Sequence, residues 1–260
     1  MLALPNDDPR KTLFIALLLC LVCAVLVSSA ATILKDKQRA NKAADIKANI
    51  LAVTGLLPEK ATASQIETLF KQFEIKAVDL NSGEYVDIDV SNYDQRGAAK
   101  DPDRSIKLAP NEDIAKIGRR ANIALVYLLK ERGKIKQIVL PVHGYGLWST
   151  LYGFIALESD LNTIKGLRFY EQGETPGLGG EVDNPKWRQQ WEGKKVFDDN
   201  GQLKIKVIHG HVSPSDPDAA YKVDGISGAT LTSRGVSNLL SFWLGDRGFG
   251  PYLKKLRSKQ

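Results

Sequence analysis

Residues 13–34 carry no charge at all: LFIALLLCLVCAVLVSSAATIL. As a helix rising 1.5 Å per residue, this run would span about 33 Å, enough to cross the hydrocarbon core of a bilayer. A cleaved secretory signal is the competing reading, and Ser28-Ser29-Ala30-Ala31 would offer small residues for cleavage. Signal segments are normally shorter, however, and here the run passes directly into a charged helical pattern. An uncleaved anchor is therefore expected at 13–34, behind a cytoplasmic tail at 1–12.

The only two cysteines, Cys20 and Cys23, lie inside that run, three apart and so on one helix face. Two thiols cannot alone fill a tetrahedral metal site, which favours plain packing over metal binding. A cluster shared with partner subunits is the alternative. With no cysteine after residue 23, the rest of the chain can hold neither a disulfide framework nor a thiolate metal site. The formal charge of +6 is a mild basic excess without a Lys/Arg block or nucleic-acid motif, so no nucleic-acid partner is expected.

Beyond the anchor, Ala43, Ile46, Ile50, Val53 and Leu57 repeat at helical spacing, and Gly55 and Pro58 mark the end of a helix over 35–54. A helical linker thus covers 35–60, and a soluble domain occupies 61–260. Ser64 and Glu67 fit a capping box for a second helix that buries Ile66, Leu69, Phe70 and Phe73. Strands are expected at 75–80, 85–90, 123–129, 135–142, 151–157, 166–171 and 203–208. The third and fourth form a hairpin around Arg132-Gly133-Lys134. Residues 91–112, rich in Asp, Asn, Gly and Pro, read as an exposed loop. Short helical patterns fit 184–191, with Pro185 in the first turn, and 231–244. Strands and helices mix without β-α-β alternation, so the fold class is α+β.

The segment that carries chemistry is Asp224-Gly225-Ile226-Ser227-Gly228-Ala229-Thr230-Leu231-Thr232. Its glycines permit close approach, and its hydroxyls crowd the start of a helix, where free N–H groups and the helix dipole favour phosphate. Ordinary N-capping by Ser and Thr would explain the same residues. No Walker lysine follows, and the spacing is not that of a dinucleotide fold. His209 and His211 point to one side of an extended segment, but only His143 remains as a third imidazole, so no metal site is expected. Asp198-Asp199-Asn200-Gly201 reads as a turn.

This segment resembles the flavinylation motif of the covalent FMN-binding domain family. In that family a flavin transferase, using FAD and magnesium, joins FMN through a phosphoester to the threonine after Ser-Gly-Ala. The resemblance assigns that role to Thr230, with Asp224, Ser227, Gly228 and Ala229 around it. Glu174-Thr175-Pro176-Gly177-Leu178-Gly179 and Gly146-Leu147-Trp148 resemble the family's ring-side elements. They add Glu174, Thr175, Leu178 and Trp148 as cofactor-binding residues, although core burial would also explain Trp148 and Leu178, and Glu174 would also serve as a solvated loop acid. With one N-terminal span, the resemblance implies an electron-carrying FMN subunit of a multisubunit membrane complex. Such a complex couples NADH oxidation by quinone to sodium translocation, or links ferredoxin and NAD in a related ion pump. A membrane-tethered flavin sensor is a third possibility. The resemblance implies a bacterial inner-membrane protein with its soluble domain in the periplasm. Counting Lys and Arg points the other way, since Lys35, Lys37, Arg39, Lys42 and Lys47 follow the span against Arg10 and Lys11 before it.

Overall fold

The computed structural model describes residues 5 and 8–259, so the expected tail at 1–12 lies partly outside the described residues. The chain divides into two compact units, Met1–Asp45 and Ile46–Gln260. One helix, α1 (Pro9–Val53), covers the expected anchor and continues without a break into the expected linker, stopping short of its end at 60. Asp8 starts it by accepting the Arg10 N–H at 2.8 Å, beside Pro9 in the first turn. Its part Pro9–Lys35 is long and apolar enough to cross a membrane. Gly55, at φ +77°, ends it as expected. The Leu56 N–H reaches back to the Leu51 carbonyl at 2.8 Å, so the terminal carbonyls find donors.

The second unit continues through α2 (Ala63–Phe70), β1 (Phe73–Asp79), β2 (Glu84–Val86), α3 (Gln95–Lys100), β3 (Ser105–Lys107), β4 (Arg119–Ala121), β5 (Ile123–Glu131), β6 (Lys134–Tyr145), β7 (Thr150–Glu158) and β8 (Ile164–Glu171). It closes with α4 (Pro185–Gln189), β9 (Lys206–Val207), β10 (Lys222–Val223), α5 (Thr230–Leu244) and α6 (Gly250–Arg257). Six strands form one antiparallel sheet in the order β2-β1-β5-β6-β7-β8. Both faces are covered, which is why β6 reads as a run of buried Val, Ile and Leu rather than a strict alternation. Ile138, Leu140 and Val142 pack with Leu239, Leu240 and Trp243 of α5 on one face. On the other, Ile50, Leu51 and Val53 from the end of α1 pack with Tyr127, Val139 and Phe154. Mixed helix and antiparallel sheet is the expected α+β class.

Several local expectations shift. The capping box forms at Thr62 and Gln65, not Ser64 and Glu67: the Thr62 hydroxyl accepts from the Gln65 N–H at 3.3 Å, and the Gln65 Oε1 from the Thr62 N–H at 2.8 Å. Glu67 instead pairs with Lys47 at 2.7 Å. In the β5–β6 hairpin Glu131 faces Lys134, leaving a two-residue turn in which Arg132 (φ +51°) and Gly133 (φ +81°) are both left-handed. Residues 91–112 are not all loop, because Asp94 caps α3 by accepting the Arg96 N–H, and β3 follows. The strand expected at 85–90 stops at Val86, and Asp89 turns the chain by binding Ser91 and Asn92. Of 203–208 only β9 is strand, paired in parallel with β10.

His143 on β6 stacks against Tyr152 at 5.3 Å and lies 4.8 Å from the Trp243 ring, with the Arg96 guanidinium over Tyr152. Burial, and secondarily Arg96, push its pKa down to about 4. A lowered imidazole pKa means the folded chain holds the ring neutral. That stability is complete above the unfolded value near ~6.5 and fades as the pH falls towards the folded one. The shift corresponds to roughly 3 kcal/mol. His143→Gln should therefore flatten the loss of stability over this pH window in denaturant titrations, and an unchanged slope would exclude His143 as its source.

Candidate functional site

Helix α5 begins at Thr230 with no side chain capping it. Among the hydrogen bonds of the described residues, none is donated by the N–H of Thr230, Leu231 or Thr232; the first engaged is that of Ser233, to Ala229 O at 2.9 Å. An uncapped helix start presents donors and the positive end of the helix dipole, a setting that suits an anion. Thr230 and Ser227 are exposed at this end, while Ala229 is buried beneath them. The tight turn before the helix is fixed from inside, because the Ser233 hydroxyl accepts the Ile226 N–H at 3.0 Å. Gly225 is required by packing: a Cβ there would lie 2.4 Å from Ile208 O.

Glu174 holds the surroundings together. Its side chain, 5% exposed, accepts the N–H groups of Leu147, Trp148 and Ser149 at 3.0–3.1 Å and the Thr232 hydroxyl at 2.6 Å. It is thus not a solvated loop acid. Burial pushes its pKa up, but the Thr232 hydroxyl and the three amides pull harder and hold it below the usual carboxylate range. One carboxylate therefore ties the turn between β6 and β7 to the first turn of α5. Glycine makes the approach feasible, since a Cβ on Gly146 would sit 2.7 Å from Glu174 Oε1, and one on Gly179 2.7 Å from Oε2.

The loop at 175–178 closes over the motif. Thr175 O accepts the N–H groups of Leu178 at 3.1 Å and Gly180 at 3.0 Å, and Gly177 takes φ +75° after Pro176, a type II turn. That turn brings Leu178 onto Gly228, whose φ is +70° and whose added Cβ would meet Leu178 Cδ2 at 2.8 Å. Four large apolar side chains stay exposed on these segments: Trp148 at 66%, Leu231 at 51%, Leu178 at 43% and Leu147 at 37%. For Trp148 and Leu178 this exposure rules out plain core burial. An apolar lip around free amides and an exposed hydroxyl fits a ligand with a phosphate at one end and a flat apolar ring at the other.

Asp224 stands apart from that lip. Its carboxylate accepts from Val212 N–H at 2.8 Å and meets His211 Nδ1 at 2.9 Å. Burial raises its pKa, but His211 and the Val212 amide outweigh this, leaving it lowered. Its backbone is held by Gln190 and the Trp187 indole. Asp224 therefore braces the 209–212 segment against the motif, and His211 has a carboxylate partner. Among the described residues no group of three or more His, Cys, Asp or Glu gathers to hold a metal. Ser233 and Leu231 were not singled out from sequence; the signal for Ser233 was a hydroxyl in the first helical turn.

Residues 146–245, which include this whole site, match the FMN-binding domain family model. The NqrC subunit of the Na(+)-translocating NADH-quinone reductase of Vibrio anguillarum is 50% identical over 252 residues, 97% of this chain and 96% of its own length. Its namesake in Pseudomonas aeruginosa is 50% identical over 254 residues, 97% of each chain. Among solved structures, Shewanella oneidensis NqrC superposes with a TM-score of 0.76 at 36% identity, covering 84% of this chain and 99% of that one.

Proposed function

The chain belongs to the NqrC family of Na(+)-translocating NADH-quinone reductase subunits, and from that premise we infer that Thr230 holds its FMN through a phosphoester. It is an FMN-binding, membrane-anchored subunit of that oxidoreductase complex, and the other subunits are its partners. The observation that carries the linkage is the exposed Thr230 hydroxyl beside the unengaged amides of an uncapped helix. In the transfer, the Thr230 oxygen loses its proton and bonds to the FMN phosphorus of FAD, and AMP departs; a flavin transferase supplies the catalysis. The α5 amides then stabilise the remaining charge of the phosphodiester. Leu178, Trp148, Leu147 and Leu231 exclude water from the ring, Thr175 and Gly228 set the approach of Leu178, and Glu174 fixes the loop that carries Trp148. Ser227 and Ala229 complete the turn that exposes the hydroxyl, and Asp224 braces it. Bound FMN supplies the electron-carrying centre, tuned by this surrounding.

A band that stays fluorescent on denaturing electrophoresis of the membrane complex is the expected result, and a colourless band would contradict covalent attachment. We also place the domain after the anchor in the periplasm, where covalent loading keeps the cofactor from being lost. A long domain can cross regardless of its flanking charges. An alkaline phosphatase fused to the C-terminus should be active, and an inactive fusion would reverse that placement.

A further inference from the structure

We propose that a cationic cavity between the end of α1 and helix α4 binds a phosphate ester, at a site separate from the flavin motif. The cavity holds about 410 Å³ and is lined by Lys165 and Arg168 of β8 and by Lys186 and Arg188 of α4, with Val53 and Leu167 among its apolar walls. Glu192 is the single carboxylate in its lining, and Asp183 lies near enough to act on Arg168. Elsewhere on the domain cations find acids, as Lys47 finds Glu67 and Lys222 finds Asp216. Among the described residues none of these four does.

Two observations say that the cluster is built rather than accidental. Arg188 Nε is buried with no hydrogen-bond partner, which is unfavourable unless something arrives to accept from that guanidinium. Arg168, also in the lining, has its Nε tied to Asn49 Oδ1 at 2.6 Å, which anchors the guanidinium at the cavity. Burial lowers the Arg168 pKa and the neighbouring Arg188 lowers it further, while Asp183 offsets only part of this, so two like charges are held close together here. Most carbonyls at the end of α1 already have donors within the chain. The Thr54 hydroxyl donates to Ile50 O and Leu51 O, and the N–H groups of Gly55 and Leu56 take Ala52 O and Leu51 O.

Two planar guanidinium forks with two ammonium groups suit an oxyanion carrying several acceptor oxygens. The volume is at the small end of ligand sites, and the apolar wall leaves room for a short organic frame. A soluble phosphate monoester and the head group of an anionic phospholipid share this chemistry.

The test uses the full chain in neutral detergent and isothermal titration calorimetry. Glycerol 3-phosphate is one probe; phosphatidylglycerol in mixed micelles, against phosphatidylcholine, is the other. At least one of the two phosphates should bind, and Arg188→Gln should weaken it at least tenfold. Binding of the soluble ester assigns a soluble ligand, and binding of phosphatidylglycerol alone assigns a lipid. Should Arg188→Gln lower the melting temperature, the exposed Lys186→Gln carries the comparison, with an expected loss of at least threefold. Absence of binding by both probes, binding that neither substitution weakens, or binding of an acidic peptide with neither phosphate would overturn the proposal.

Discussion

Thr230→Ala should remove the denaturation-resistant flavin completely and leave the fold intact. The residue is exposed and its side chain makes no hydrogen bond among the described residues, so its truncation belongs to the class of surface changes within about 0.5 kcal/mol. Loss of the hydroxyl, in contrast, leaves no oxygen for the phosphorus. Thr230→Ser restores an oxygen at the same place and should restore labelling. In-gel fluorescence of the three proteins, with a melting curve of each, separates loss of the acceptor from loss of structure. A labelled Thr230→Ala protein would move the attachment to another hydroxyl, with Thr232 the nearest in sequence and Ser227 and Ser233 next.

Glu174→Gln should lower the stability of the domain by about 3–5 kcal/mol, because a buried carboxylate accepting from four donors is replaced by a group that is half donor. The amide NH2 would face either the Thr232 hydroxyl or the N–H groups of Leu147, Trp148 and Ser149. A pH series identifies the origin of the effect. The folded-state pKa of Glu174 is depressed, so its contribution is complete above the ordinary value near ~4.3 and is lost as the pH falls through the folded one. The gap between wild type and variant should be full at neutral pH and narrow on acidification below the ordinary glutamate range. The His143 window lies higher, so the two effects separate along one pH axis. A gap under about 1 kcal/mol at neutral pH, or one that does not narrow in acid, would show that Glu174 is not the clamp.

How much of this was legible in the sequence follows from how local each feature is. The membrane run, the end of α1 at Gly55, the β5–β6 hairpin and α5 each rest on a pattern within a few residues, and each stands where expected. The capping box was legible as a kind but slipped by two residues, because Thr62 and Ser64 offer the same chemistry and only Lys47, brought in from α1, claims Glu67. Helix α3 was hidden because it has no amphipathic stripe; Asp94 and the burial of Ala98 hold it. The motif marked the start of α5 but left N-capping open, and only the structure shows that no side chain caps it and that Thr230 is exposed. The inward turn of Glu174 was not legible, since the carboxylate meets Thr232 across 58 residues of sequence. The cationic cavity was equally silent, because its lysines and arginines come from separate elements and read as scattered surface charge.

The central claim is the bond at Thr230, and peptide mass spectrometry of the native protein tests it most directly. Trypsin cutting after Lys222 and Arg234 releases one peptide that holds the motif, with Ser227, Thr230, Thr232 and Ser233 as its hydroxyl residues. The account predicts that this peptide carries the mass of FMN less one water, and that fragmentation places the whole addition on Thr230. An unmodified peptide from a flavin-loaded complex, or an addition on any of the other three hydroxyls, would contradict it.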